Sequence, residues 1–169
     1  MNVFPAIAVD PTNGNVYATW SNASGAGTNV YFSYSADGGM NWSTPVIVNT
    51  APANTAVFPW VAVDAGTVDL VYYGTTGGNA AGAVWNVYMA QTTNNGASFS
   101  QSTVNSTPNH VGVICTQGTD CVPGTRNLLD LFEVGIDPLN SRAAVVYVDD
   151  TTKDSAGNPL PQTVLAQQQ

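Results

Sequence analysis

A short motif occurs three times along the chain and divides it into three units of similar pattern. VFPAIAVD, from Val3 to Asp10, returns as VFPWVAVD from Val57 to Asp64 and, more loosely, as LFEVGID from Leu131 to Asp137. Each copy is followed by a short turn and then by a second apolar run that ends on an aromatic residue. Repetition of this kind is typical of folds in which one supersecondary unit stacks on the next.

Val, Ile, Tyr and Trp dominate the apolar runs, and the runs are short, as strands are. Helical periodicity is nearly absent. One such unit cannot bury both of its faces, so neighbouring units must cover each other. We therefore predict an all-β fold of antiparallel four-stranded blades, a three-blade segment of a β-propeller. The whole chain, 1–169, forms this segment, with blade 1 at about 1–50, blade 2 at about 55–106, a loop at 107–127 and an incomplete blade 3 at about 128–169.

A turn motif follows the third strand of the first two units. SADGGMNW, residues 35–42, fits the pattern Ser-x-Asp-x-Gly-x-x-Trp, and TTNNGASF, residues 92–99, is a weaker copy. The acidic or amide side chain can accept bonds from turn amides, glycine supplies an uncommon backbone angle, and the aromatic ring folds back as an apolar plug. We expect a purely structural role for the motif positions, which are Ser35, Asp37, Gly39 and Trp42 in the first turn and Asn94, Gly96 and Phe99 in the second.

This motif resembles the Asp-box, or BNR, repeat of sialidase-like β-propeller proteins, and the similarity covers nearly the whole chain. The resemblance implies a six-bladed ring of which this chain supplies half, with the Asp-box turns facing away from the ligand. A sialidase of that family holds the substrate carboxylate with three arginines. This chain has only Arg126 and Arg142, and Arg142 is expected in a turn on the Asp-box face. The three-arginine clamp therefore cannot be assembled from one chain.

The expected ligand face carries the remaining candidates for binding or catalysis. The long insertion after the second unit holds the only histidine, His110, together with Arg126, and Asp130 follows it. Trp85 and Tyr73 fit the same face by position and would suit stacking on sugar rings. No acidic partner of His110 is visible in the sequence, so an ordinary loop histidine is the alternative to a general base.

Three acidic residues in the third unit form the one candidate metal site. Asp149, Asp150 and Asp154 fall in one loop, and calcium favours several carboxylate and carbonyl oxygens in such a loop. The spacing is not that of an EF-hand, and a solvated acidic loop is the alternative. No motif requires a cofactor, and calcium is the metal that this loop would favour.

The two cysteines and the charge indicate the compartment and exclude some partners. Cys115 and Cys121 lie close together without the spacing of a zinc site, which predicts a disulfide and an oxidising environment. The net charge of -8 would repel phosphate backbones and anionic lipid, so we expect neither nucleic acid nor membrane as a partner. No membrane-spanning run or signal peptide is recognisable, and a secreted or cell-surface mature form is expected.

Three functions fit these features. The preferred one is a non-catalytic, secreted propeller segment that binds or scaffolds, with glycans as ligands. The second is a glycoside hydrolase of the exo-sialidase kind, completed by a second copy or a missing N-terminal half. The third is a structural, self-assembling surface protein. A homodimer that closes a ring of six blades is the expected partner arrangement.

Overall fold

A computed structural model gives the fold and describes residues 3–25, 27–122, 125–126, 128 and 132–169. Within these residues, twelve strands form three antiparallel sheets, which we call blades 1, 2 and 3. Blade 1 consists, in order, of β1 (Ala6–Val9), β2 (Val16–Ser24), β3 (Gly27–Ser35) and β4 (Val46–Ile47). Blade 2 consists of β5 (Thr55–Asp64), β6 (Thr67–Thr75), β7 (Val84–Thr92) and β8 (Ser100–Thr103), with β9 (His110–Val111) also paired to β7. Blade 3 consists of β10 (Glu133–Asp137), β11 (Arg142–Asp149) and β12 (Gln162–Gln167).

The predicted all-β fold of antiparallel blades is confirmed. In the described part of the chain the helical content is one 3-10 turn at Gly118–Asp120, and no helix there is long and apolar enough to cross a bilayer. The limits predicted for the three units, which include their loops, remain a prediction.

The blades stack face to face, with blade 2 in the middle. Strand β6 is buried along almost its whole length, whereas β2 of blade 1 alternates between buried and partly exposed positions. The difference arises because blade 2 has a neighbour on both faces. Apolar clusters fill the two gaps, and their largest members are Tyr17, Phe32, Leu70 and Tyr72 between blades 1 and 2, and Tyr73, Trp85, Phe132 and Tyr147 between blades 2 and 3.

We call β1, β5 and β10 the inner strands. A hydrogen bond to the next blade is formed at the turn after each of the first two. Asp10 ends the first repeat motif, and its Oδ2 accepts a bond of 2.7 Å from the Gly66 amide of blade 2. Asp64 ends the second motif, and its Oδ2 accepts a bond of 2.6 Å from the Ser141 hydroxyl of blade 3. The repeated aspartate thus holds the turn of the following blade.

Candidate functional site

The strand pairing sorts the loops into two ends of the stack. Val16 pairs with both Val9 and Ser35, so the turn after β1 and the first Asp-box turn lie at the same end, the turn end. At the opposite end, the loop end, Thr75 pairs with Thr55 and Trp85 pairs with His110. The loop end therefore holds the starts of the inner strands, the β6–β7 loop and β9.

The first Asp-box turn is closed by a compact set of hydrogen bonds. The Ser35 hydroxyl donates to Asp37 Oδ1 at 2.7 Å and accepts from the Gly39 amide at 2.8 Å. The Asn41 side chain and amide donate to the two Asp37 oxygens. These bonds, that from the Asn41 side chain foremost, lower the pKa of Asp37 from 3.8 to about 2.

The second turn repeats this pattern with a neutral side chain in place of the aspartate. The Thr92 hydroxyl donates to Asn94 Oδ1 at 2.8 Å and accepts from the Gly96 amide at 3.0 Å. The Ser98 amide donates to Asn94 Oδ1 at 3.0 Å. The same spacing therefore builds the same turn without a charge, which supports a structural role for both copies.

The aromatic residues of the two turns differ from the sequence expectation. Phe99 is half-buried, with its ring edge on Phe32 of blade 1 at a centroid distance of 5.5 Å. Trp42 is 43% exposed, so the expectation that it plugs blade 1 is wrong. The physical reason is that Phe99 packs on the preceding blade, whereas no blade in the described structure precedes the turn of Trp42. The Trp42 indole is held instead by a bond of 3.0 Å from Nε1 to the Gly39 carbonyl.

Trp85 and Tyr73 are fully buried, so the expectation that they stack on a sugar from the ligand face is wrong. Both lie on strands of blade 2 and point into the gap towards blade 3. The Tyr73 ring stacks on Phe132 at 4.4 Å, and its hydroxyl accepts a bond from the Val148 amide. The sequence indicates the position along a strand, but it does not show that blade 3 covers that side.

His110 has a partner that the sequence analysis missed. Its Nδ1 lies 2.9 Å from both carboxylate oxygens of Asp150, and both side chains are more than nine-tenths buried. The Asp150 amide also donates to the Asn109 carbonyl, so the pair ties β9 of blade 2 to the end of β11. Among the described residues, His110 Nε2 has no hydrogen-bond partner. The two residues are 40 positions apart, and no local signal joins them.

A cleft of about 360 Å³ adjoins this pair. Its lining residues are His110, Val111, Asp150, Thr151, Lys153 and Pro159. Because His110 Nε2 is enclosed, the pair as it stands joins two blades and does not present a base to a ligand.

The three candidate calcium ligands are not brought together. Asp149 accepts bonds from the amide and hydroxyl of Thr151, and Asp154 accepts bonds from the Ala156 and Asn158 amides. Asp150 is paired with His110. The described residues contain no group of three or more His, Cys, Asp or Glu side chains that could hold a metal ion. Each aspartate instead organises its own short turn or contact.

Both cysteines and Arg126 lie in the long loop between blades 2 and 3. Cys115 and Cys121 are joined, so the predicted disulfide is confirmed. Arg126 is partly buried, and Asp130 lies outside the described residues.

The loop end carries an aromatic group that sequence reasoning also missed. Phe4, Phe58 and Phe132 are the second residues of the three repeat motifs, and with Pro59 and Trp60 they line one apolar cleft. The sequence did contain a signal, since the same residue stands at the same place in each motif. We call Phe4, Phe58, Trp60 and Phe132 the inner-strand aromatic cluster.

The cluster combines exposure with an unusual backbone. Phe4 is 71% exposed, and Phe58 has a φ of 54°, in a region that bulky residues rarely adopt. The pairing of β5 with β6 shifts between Val57 and Trp60, which places this bulge at the cluster. Strained residues in native proteins concentrate at ligand sites. The cleft is shallow, about 30 Å³, so a ligand would rest on the rings and not enter between them.

Comparison with known proteins identifies the architecture. No protein-family model and no curated protein matches the chain. Among solved structures, it is similar to an N-acetylgalactosamine deacetylase from F. plautii in complex with blood group B trisaccharide, at 17% identity and a TM-score of 0.53, over 99% of this chain and 50% of that one. A thermostable family-43 glycoside hydrolase matches at 15% identity and a TM-score of 0.52, over 95% of this chain and 52% of that one. The Hadza microbial sialidase Hz136 matches at 12% identity and a TM-score of 0.51, over 95% of this chain and 30% of that one.

The chain thus spans about half the length, or less, of the structures that it matches. At these identities the similarity establishes the fold. The chain is a β-propeller segment with the architecture found in glycoside hydrolases, a sialidase among them.

Proposed function

We propose that the chain is a non-catalytic, carbohydrate-binding segment of a secreted propeller protein of the sialidase-like, Asp-box kind. The observation that carries this proposal is the inner-strand aromatic cluster at the loop end. Phe4 is 71% exposed and Trp60 is partly exposed, so apolar ring surface is available there. The ring C–H groups of a sugar form an apolar patch that releases water when it packs on such a surface.

The polar composition of the chain suits a neutral ligand. Only 8% of the residues are charged, and Asn, Thr, Ser and Gln supply most of the polar side chains. Such groups donate and accept hydrogen bonds with sugar hydroxyls without a charge. The Cys115–Cys121 disulfide supports an oxidising, extracellular environment. The names of the similar structures, which are enzymes acting on carbohydrates, support the same ligand class.

The residues that line the aromatic cleft support binding more than catalysis. All five are apolar, whereas glycoside hydrolysis normally needs a pair of carboxyl groups beside the scissile bond. The chain also has two arginines where a sialidase clamp uses three. The rival, a glycoside hydrolase completed by a second copy or a missing half, is favoured by the hydrolase neighbours. A self-assembling surface protein is the third candidate.

A glycan array followed by calorimetry with the best ligand tests the proposal. We expect Phe4→Ala to weaken binding about tenfold, which corresponds to about 1.4 kcal/mol. Phe4 is exposed, so its removal should leave the fold intact. Met40→Ala is the matched control, because Met40 is 80% exposed in the Asp-box turn at the opposite end. Equal affinity of the Phe4→Ala variant and the original chain would contradict the site, and release of fluorophore from a sialoside would favour the hydrolase.

A further inference from the structure

An aromatic pair recurs at matching positions of blades 1 and 2. In blade 2, Tyr72 lies opposite Tyr88 on the neighbouring strand, and the two rings stack at 6.1 Å. In blade 1, Trp20 lies opposite Tyr31 in the same way, with the rings 5.9 Å apart. The repeat therefore places one stacked pair on the same face of blade 1 and of blade 2.

In blade 2 this face is covered by blade 1. Tyr72 and Tyr88 are buried in the apolar cluster that also contains Tyr17 and Phe32 of blade 1. Val61 belongs to the same face and is only 4% exposed. In the contact between blades 1 and 2, the aromatic pair of one blade is therefore covered by the opposite face of its neighbour.

In blade 1 the same face is open. Ile7 holds the motif position of Val61 but is 64% exposed, and Trp20 and Tyr31 are partly exposed. Ile47 pairs with Tyr31 and is also exposed. These four residues form a continuous apolar patch, which we call the Trp20 face. Exposed patches of this kind mark interaction surfaces.

Blade 3 also has an open face, on the side that corresponds to the side of blade 1 packed on blade 2. Counting from the aspartate that ends each repeat motif, Ala144 and Val146 correspond to Tyr17 and Thr19 of blade 1. Leu165 pairs with Val146 as Phe32 pairs with Thr19. Leu165 is 69% exposed. We call Gly135, Ala144, Val146 and Leu165, together with the exposed Glu133 that pairs with Val146, the Leu165 face. It corresponds to the face of blade 1 that covers Tyr72 and Tyr88.

The two open faces complement each other in volume. Blade 3 has the small Ala144 where blade 1 has the large Tyr17, and blade 1 has the large Trp20 where blade 2 has the smaller Tyr72. In the described part of the chain, Asp137, at the end of the third repeat motif, also lacks the hydrogen bond to a following blade that Asp10 and Asp64 form. Its carboxylate accepts local bonds from Leu139 and Asn140, as Asp10 does from Thr12 and Asn13, and among the described residues no donor from another blade is added to them.

We propose that the Trp20 face binds the Leu165 face of a second copy of this chain. Two such contacts, related by a two-fold axis, would cover all four open faces and close the assembly. The proposal does not depend on glycan binding, since neither face includes Phe4 or Phe58.

Light scattering and sedimentation of the purified chain test the interface. We expect a mass of twice 17.5 kDa, with dissociation on dilution. Trp20→Lys and Leu165→Glu should each weaken the dimer at least about a hundredfold, because each places a charge in both contacts. Met40→Lys is the control for an added surface charge far from both faces, and circular dichroism verifies that every variant is folded.

Mixing the two variants gives the decisive result. A pair made of one Trp20→Lys chain and one Leu165→Glu chain contains one unaltered contact and one whose two faces carry opposite charges. We therefore expect the mixture to regain the dimer that neither variant forms alone. A monomer of the original chain, a dimer that survives both substitutions, or a mixture that stays monomeric would each overturn the proposal.

Discussion

Asp69 is a buried carboxylate within the apolar middle blade. It lies on β6 with no solvent exposure, and its Oδ1 accepts a bond of 2.8 Å from the Gln91 amide group. Its Oδ2 is buried and has no hydrogen-bond partner among the described residues. Burial raises the pKa of Asp69 above 3.8, because the charged form loses its hydration. Asp37 is the opposite case, since hydrogen bonds lower its pKa to about 2.

We expect Asp69→Asn to stabilise the protein at neutral pH. A carboxyl group whose pKa is raised on folding destabilises the folded state as the pH rises from 3.8 through the raised pKa. The stability that Asp69→Asn adds should therefore shrink as the pH is lowered to about 3.8. Urea denaturation of both chains at neutral and acid pH measures the difference in unfolding free energy.

Asp37→Asn should behave in the reverse sense as the matched control. The stability that Asp37 contributes is present above 3.8 and is lost as pH falls towards about 2, so this variant should be less stable at neutral pH. A neutral-pH loss of stability in Asp69→Asn would show that its buried charge is compensated.

At the level of the structural element, the Asp-box turns show what a local motif determines. Both turns form the hydrogen bonds that their spacing predicts, because every partner lies within four positions. Burial of the aromatic residue in each turn, in contrast, requires a neighbouring blade. Gly96 has a φ of 82°, and a Cβ there would lie 2.6 Å from the Phe32 ring, so the second turn presses on blade 1. Trp42 has no such surface in the described structure.

Truncation of the two aromatics should therefore have unequal effects. We expect Phe99→Ala to lower the free energy of unfolding by about 2 kcal/mol. This loss is below the range for fully buried phenylalanines, because Phe99 is only half-buried in the contact between blades 1 and 2. Trp42→Ala should cost less than about 1 kcal/mol. Equilibrium denaturation of both variants at the dilution where the original chain is monomeric makes the comparison. Equal losses would show that Trp42 is packed in solution.

For the whole molecule, the repeat was enough to predict the fold. Each repeat motif predicts an inner strand, and the inner strands β1, β5 and β10 confirm that reading. The sides of the strands were harder to assign. Position along the strand predicts Tyr73 and Trp85 on a ligand face, but blade 3 buries them. The His110–Asp150 contact was also unpredictable, since it joins residues of different blades. Distant pairs of this kind depend on how the blades are placed, which no spacing within one unit encodes.

The middle position of blade 2 has a consequence for how the molecule opens. In a stack that is held by nearest-neighbour contacts, an end unit can detach by losing one interface, whereas the central unit must lose two. Blades 1 and 3 should therefore fray first. At the dilution where the chain is monomeric, hydrogen exchange monitored by mass spectrometry should find the slowest amides on β6 and β7 and faster ones on β2 and β11. Uniform protection across the three sheets would mean that they open as one cooperative unit.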